Sequence, residues 1–184
     1  MLTHGDPEQH GEELAEELEA AREYEVSGRS ASALRLWAEA VAVRRLLVGT
    51  RGHGPDRLHL AAALTGYSGP LIRQGRRGEV LPHLREALAV AEEARQDTEP
   101  GEYAFVVARC HFNLADILPW TGAFDEALRE VDAAETCLAP LATLDPDLYE
   151  REMRDCDAKR RAIVDASANG LPPRPGRRRW WRRG

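Results

Sequence analysis

The stretch NLADILPWTGAFDEALREVDAA, residues 113–134, has the pattern of two helices joined by a tight turn. Apolar residues such as Leu114 and Leu118 recur at helical spacing before the turn, and the run ALREVDAA continues that spacing after it. Pro119 and Gly122 separate the two runs, and both residue types end a helix or admit a turn. We therefore predict a helical hairpin in this stretch.

The same pattern occurs three times when the chain is aligned on Gly28, Gly75 and Gly122, which follow one another at intervals of 47 residues. Positions five, nine and twelve residues after each glycine, and the position seven before it, are apolar or small. They are Ala33, Val80 and Ala127; Trp37, Leu84 and Val131; Ala40, Ala87 and Ala134; and Ala21, Ser68 and Ala115. Because antiparallel helices approach closely only where their crossing residues are small, this register predicts three hairpins. The larger residue at the ninth position is expected to fill the gap to the next hairpin.

This register resembles the tetratricopeptide repeat, a unit of two helices joined by a turn. The matching segments are GRSASALRLWAEA, GRRGEVLPHLREA and GAFDEALREVDAA, and Tyr24 matches an aromatic residue of the family pattern. The chain departs from the family in its longer period, since the usual period is about 34 residues. It also lacks the family's tryptophan, in place of which stand Glu17, Leu64 and His111. The segment GPDRLHLAAAL is similar to the linker of long-period variants in actinobacterial and kinesin-light-chain-like proteins.

The composition, rich in good helix formers and without alternating β-branched runs, predicts an all-α fold. The resemblance implies a right-handed superhelical solenoid of three helix-turn-helix hairpins plus a C-terminal capping helix. The predicted divisions are a disordered N-terminus over 1–11, a helical domain over 12–168 and a disordered basic Arg/Trp tail over 169–184. Within the domain, we expect repeats near 14–47, 61–94 and 108–141, and the capping helix over 146–168.

Two interruptions of the helical pattern lead to specific expectations. Residues 48–56, VGTRGHGPD, are glycine-rich but lack the lysine and hydroxyl residue of a phosphate-binding loop, so we interpret them as a connection. Pro70 lacks an amide donor and clashes with the carbonyl of Gly66, so it predicts a kink or an early end of its helix. Trp37 lies on the inner face of the helix predicted over 31–47, where we expect it to pack in the core.

The sequence has none of the signals that would place the chain in a membrane or a secretory route. The first residues contain neither a basic cluster nor an apolar core, and no run of 18 apolar residues exists. The three cysteines, Cys110, Cys137 and Cys156, are an odd number and lie in helical segments beside apolar neighbours. We therefore expect buried free thiols in a cytoplasmic protein.

Catalysis is not expected from this sequence. It contains no His, Cys and Asp cluster at metal-ligand spacing, no glycine-rich junction between a strand and a helix, and no recognisable nucleophile. We accordingly predict no catalytic residue, no metal and no cofactor.

The tetratricopeptide resemblance implies instead a protein–protein interaction scaffold whose concave groove binds a peptide or helix of a partner. The residues carried over to that groove are Glu19, Arg22, Thr65, Arg109, Phe112, Asn113, Asp116, Lys159 and Arg160. Phe112 would offer an apolar contact, Asn113 would bond a peptide backbone, and Arg109 and Arg160 would fork onto a carboxylate. A chaperone-tail receptor is not expected, because Leu18 and Arg22 replace the lysine and asparagine of its first clamp repeat. The alternative is that these charges form only a solvated surface.

The tail LPPRPGRRRWWRRG, residues 171–184, leads to a second functional hypothesis. It contains six arginines and no acid; the whole chain carries −6, so residues 1–170 carry −12. Arginine with paired tryptophan can bind nucleic acid or an anionic membrane surface, so the alternative function is a regulatory or accessory protein that acts through the tail. The interacting residues would be Arg177, Arg178, Arg179, Trp180, Trp181, Arg182 and Arg183. A solubilising end and a contact with its own body or another copy remain open, as does the partner's identity.

Overall fold

A computed structural model describes residues 30–170, which form six α-helices and no strand. The helices are α1 (Ser30–Arg51), α2 (Gly54–Arg73), α3 (Val80–Glu93), α4 (Pro100–Ile117), α5 (Phe124–Leu144) and α6 (Pro146–Asn169). Short 3-10 helices at Arg77–Glu79 and Leu118–Thr121 lie before α3 and after α4. The all-α prediction is confirmed for this part of the chain. The first helix of the first predicted repeat lies outside the described residues.

The turns of the second and third predicted hairpins lie at the glycines on which the sequence was aligned. Gly75, between α2 and α3, has a φ of 78°, and Gly122, between α4 and α5, has a φ of 82°. Glycine adopts this left-handed region at little steric cost because it has no Cβ. α6 ends at Asn169, which lies 47 residues after Gly122, and Gly170 follows it with a φ of 83°. Gly28 lies before the first described residue.

Each helix packs chiefly on the next helix in the chain, from α1 on α2 through to α5 on α6. α4 also touches α2 and, more lightly, α6. This arrangement places most helix–helix contacts between neighbours in the chain. It leaves α6 joined to the rest of the described chain mainly through α5.

The small and apolar positions of the 47-residue register form the interior. Every one of them that falls within residues 30–170 is buried. They are Ala33, Trp37, Ala40, Ser68, Val80, Leu84, Ala87, Ala115, Ala127, Val131 and Ala134. The predicted burial of Trp37 in the core is therefore confirmed, and the small residues lie where hairpin helices meet.

Ala127 tests this packing directly, because its side chain is completely buried within the cluster that α5 shares with its neighbours. We expect Ala127→Leu to overpack the interior and to lower the free energy of unfolding by about 1–3 kcal/mol, measured by chemical denaturation. Ala139→Leu is the matched control, since Ala139 is an exposed residue of the same helix. It should change stability by less than about 0.5 kcal/mol. Equal stabilities of the two variants would contradict the assignment of Ala127 to the helix contact.

The prediction of a glycine-rich connection over residues 48–56 is wrong, because the connection in the structure is much shorter. α1 runs past its predicted end, and only Gly52 and His53 separate it from α2. Gly52 has a φ of 67°, which accounts for the sharp turn. Gly54 begins α2 against the α3–α4 connection, where an added Cβ would lie 2.7 Å from the Cβ of Asp97. The glycines therefore permit a tight corner and a close helix approach.

Pro70 does not end its helix early. α2 passes through Pro70 and ends three residues later, at Arg73. Pro70 is buried, and its own carbonyl accepts a hydrogen bond from the Gln74 amide at 3.0 Å. Pro70 cannot donate to the carbonyl of Gly66, but the bond from Gln74 to Pro70 closes the following turn, so the helix continues to Arg73.

The three cysteines are free, as predicted, and differ in burial: Cys110 and Cys156 are buried, whereas Cys137 is half-buried. Burial raises the pKa of the Cys110 and Cys156 thiols to about 11, so few thiolates form near neutral pH. We expect a disulfide-exchange reagent at pH 8 to modify Cys137 first in the native protein. All three thiols should react on denaturation. Fast native reaction at Cys110 would contradict the packing of α4.

Candidate binding groove

An open groove of about 420 Å³ lies between α4 and α6, because α6 rests on α5 and touches α4 only lightly. We call it the α4–α6 groove. One wall is formed by α4 and the 3-10 helix that follows it, and the other by α6. The lining residues are Phe112, Ala115, Asp116, Pro119 and Trp120 on the first wall, and Asp155, Ala158, Lys159, Ala162, Ile163 and Ala166 on the second.

Helical geometry explains how each wall presents one face. The lining positions recur every three or four residues along both helices, so their side chains point to the same side. On α6 this spacing places Ala158, Ala162 and Ala166 in one row, and their small side chains leave room for an approaching chain. Phe112 and Trp120 face this row and are only half-buried.

A smaller cavity of about 250 Å³ adjoins the α4–α6 groove, with which it shares Phe112 and Asp155. Its other lining residues are Phe105, Ala108, Arg109, Asn113, Leu138, Glu152 and Cys156. Leu138 belongs to α5 and contributes to its lining from the third helix. The two cavities together extend the accessible surface along most of α4.

The second wall is held in place by interactions of α6 with α5. Asp145 accepts a hydrogen bond from the amide of Leu148 at 3.1 Å and caps the start of α6. Arg160 donates two hydrogen bonds to the carboxylate of Glu135, at 2.8 and 2.6 Å, and one to Asp132 at 2.8 Å. This paired contact fixes the rotation of α6 about its axis and so directs its alanine row toward α4.

One ion pair spans the groove. Lys159 on α6 bonds the carboxylate of Asp116 on α4, and its ammonium nitrogen lies 4.6 Å from the centre of the Phe112 ring. Nearly half of the Asp116 side chain is exposed, so water screens the pair and its stabilising effect is small, about 0–1 kcal/mol. A ligand that offers its own charge or aromatic ring can therefore exchange with Lys159 at low cost.

Trp120 lies at one end of the groove and is held by a neighbouring hairpin. The guanidinium carbon of Arg77, in the turn before α3, lies 4.5 Å from the centre of the Trp120 ring. Such a cation–π contact orients the indole. The ring is thus a positioned part of the surface.

The structure brings together five of the residues that the resemblance assigns to a groove. Arg109, Phe112, Asn113, Asp116 and Lys159 all line the α4–α6 groove or the smaller cavity. The amide of Asn113 donates to the carbonyl of Arg109 at 2.7 Å, which leaves its side-chain oxygen as an acceptor. The Arg109 guanidinium carbon lies 5.9 Å from the centre of the Phe105 ring. This much of the predicted surface is contiguous.

Two other predicted residues do not lie in the groove. Thr65 is buried, and its hydroxyl donates to the carbonyl of Ala61 at 2.8 Å. It shares with Arg109 only a gap of about 10 Å³, too small for a ligand group. Arg160 donates two hydrogen bonds to the carboxylate of Glu135 in the same chain, so its guanidinium group is already paired. Glu19, Arg22 and the tail from residue 171 onward lie outside the part of the chain that the structure describes.

Sequence reasoning missed Trp120 and the alanine row of α6. The alanines were recognisable from their spacing of four residues, but a helix sequence does not show which face its neighbours leave uncovered. Trp120 follows a proline in what reads as a turn, so its position beside α6 depends on how the hairpins stack.

Comparison of the sequence with models of known protein families and with curated proteins gives no match. Within residues 30–170, no group of three or more His, Cys, Asp or Glu side chains is arranged to hold a metal ion. Among the helices described here, none has both the length and the hydropathy needed to cross a membrane. The geometry of the groove is therefore the basis for a functional proposal.

Proposed function

We propose that this protein is a non-catalytic, tetratricopeptide-like scaffold that binds a peptide or helix of a partner protein in the α4–α6 groove. The observation that carries the proposal is the open, largely apolar cleft in which Phe112 and Trp120 remain half-exposed opposite the alanine row. Contiguous apolar surface rimmed by polar groups marks interaction sites in soluble proteins. A groove between helices is also the usual receptor for an amphipathic helix.

The lining indicates which partner chemistry fits. Ala158 and Ala162 allow a backbone to approach closely, and the two aromatic rings provide stacking surface for apolar anchors. Asp116 and Asp155 are exposed at the rim, where they favour basic residues beside those anchors. The partner segment is therefore expected to carry aromatic or aliphatic residues three or four positions apart, with lysine or arginine nearby.

Peptide selection tests the proposal and does not require an identified partner. A random peptide library is selected on the full chain, with an Ala162→Lys variant as the counter-target. Ala162 is exposed, so the substitution places a long, positively charged side chain in the groove without disturbing the core. Enriched peptides, which are expected to be basic, should lose at least tenfold in affinity on Ala162→Lys, equivalent to about 1.4 kcal/mol. Fluorescence polarisation with labelled peptides measures this loss.

The matched control is Ala89→Lys, which places the same charge on an exposed position of α3, away from the groove. It should bind the selected peptides with unchanged affinity. If selection on the wild-type chain and on a Trp180→Ala/Trp181→Ala chain enriches no peptide that loses affinity on Ala162→Lys, the groove is not a peptide-binding site.

A cytoplasmic location is part of the same proposal. It is supported by the three unpaired thiols, because oxidising compartments commonly convert cysteines of small domains into disulfides.

A further inference from the structure

The α4–α6 groove lies next to the point where the described chain ends. Its wall reaches Ala166, less than one helical turn from the last residue of α6, Asn169. The chain then turns at Gly170, with φ 83° and ψ 159°. Residues 171–184 thus continue from the rim of the groove.

The segment that follows is long enough to return along the groove. Asn169 lies 11 residues beyond Ala158 on α6, a distance of about 17 Å at 1.5 Å per residue. Trp180 lies ten residues beyond Gly170, and even at the polyproline rise of 3.1 Å per residue this length of chain spans about 31 Å. Trp180 and Trp181 can therefore reach any part of the alanine row.

The chemistry of the segment matches the lining. Its paired tryptophans can stack on the half-exposed rings of Phe112 and Trp120 and lie on the small alanine side chains. The arginines on both sides of the pair can bond the carboxylates at the rim, where they would replace the screened contacts of Asp116 with Lys159 and of Asp155 with Arg151, the latter at 3.9 Å. The segment carries a net charge of +6 and the preceding chain −12, so long-range electrostatic attraction also favours this contact.

We propose that residues 171–184 fold back on their own chain and seat Trp180 and Trp181 in the α4–α6 groove. The segment then covers the surface that a partner peptide would use, and a partner must displace it. This inference rests on the proposed function in taking the groove as a docking surface. Its test requires no partner peptide, so the two proposals can fail separately.

Alanine methyl signals of the full-length protein report the docking. Indole rings stacked on Ala158, Ala162 and Ala166 displace their methyl resonances, and the double variant Trp180→Ala/Trp181→Ala removes those rings. We expect the three methyl signals to shift between wild type and the variant by more than their line width. The methyls of Ala42 and Ala89, exposed on α1 and α3, should not move. If the three groove methyls also stay in place, the proposal is overturned.

A variant of the groove tests the same contact from the other side. Ala162→Lys should repel the arginine-rich tail and release Trp180 and Trp181, so acrylamide quenching of tryptophan fluorescence should increase relative to wild type, whereas Ala89→Lys should leave it unchanged. Equal quenching in all three proteins would overturn the proposal. Added salt should weaken the docking, because the arginine contacts lie at an exposed rim.

Dilution separates docking within one chain from docking between copies. The wild-type methyl shifts should be the same over a 20-fold range of protein concentration. Loss of the shifts on dilution would assign the groove to the tail of a second copy and overturn docking in the same chain. Shifts that arise only after single-stranded nucleic acid or anionic vesicles are added would overturn it as well.

Discussion

Replacing Leu84 by alanine should lower the free energy of unfolding by about 2–5 kcal/mol, the range for deleting a fully buried leucine side chain. Leu84 has no exposed surface and lies on α3, nine residues after the turn glycine Gly75. It shares a buried cluster with Leu71 of α2, Leu114 of α4 and Val131 of α5. Its side chain therefore fills the space between two successive hairpins, and alanine would leave a cavity there.

Chemical denaturation followed by circular dichroism measures the loss. Leu144→Ala is the control, because 83% of the Leu144 surface is exposed and its removal opens no cavity. That variant should stay within about 0.5 kcal/mol of wild type. A Leu84→Ala protein as stable as Leu144→Ala would show that the hairpins do not stack through this position.

The second large effect concerns Gly66 and Trp37, and its sign should depend on the background. Gly66 lies in the middle of α2, where a Cβ would overlap the Cη2, Cζ3 and Cζ2 atoms of the Trp37 indole. The indole is almost completely buried and has little room to move. We expect Gly66→Ala to cost about 1–3 kcal/mol in the wild-type protein through overpacking.

In a Trp37→Leu background the same change should be neutral or stabilising by up to about 1 kcal/mol. The three nearest obstacles are then absent, and alanine is the better helix former. A double-mutant cycle by denaturation measures the coupling, expected at about 1–3 kcal/mol. A cost of Gly66→Ala that is the same in both backgrounds would locate the strain elsewhere than at Trp37.

These two sites show which features of the packing can be predicted from the sequence and which cannot. The burial of Leu84 and Trp37 was predictable from the register, since both lie nine residues after one of the aligned glycines. The contact between Trp37 and Gly66 does not. From the sequence, Gly66 is expected only to weaken its helix. In the structure it leaves room for the indole ring of Trp37 on α1.

The candidate groove was predictable only in part. Phe112 and Asp116 were recognisable from the resemblance to the tetratricopeptide repeat, because their positions are counted from a turn glycine. For Arg160, counting positions does not predict the binding partner of the side chain. Its place on α6 is set by the helical period, but whether it serves a partner or Glu135 depends on how α6 is rotated against α5.

The sequence alone determined the helical class of this chain, the turns at Gly75 and Gly122, and the small positions at which hairpin helices meet. These features could be predicted because helical periodicity and turn glycines depend on residues that are close together in the sequence. Only the tertiary structure decided the short corner at Gly52, the close approach at Gly66 and the cleft between α4 and α6. Each of these arises where segments distant in the sequence meet, and the distance between two packed helices is set by the side chains of both.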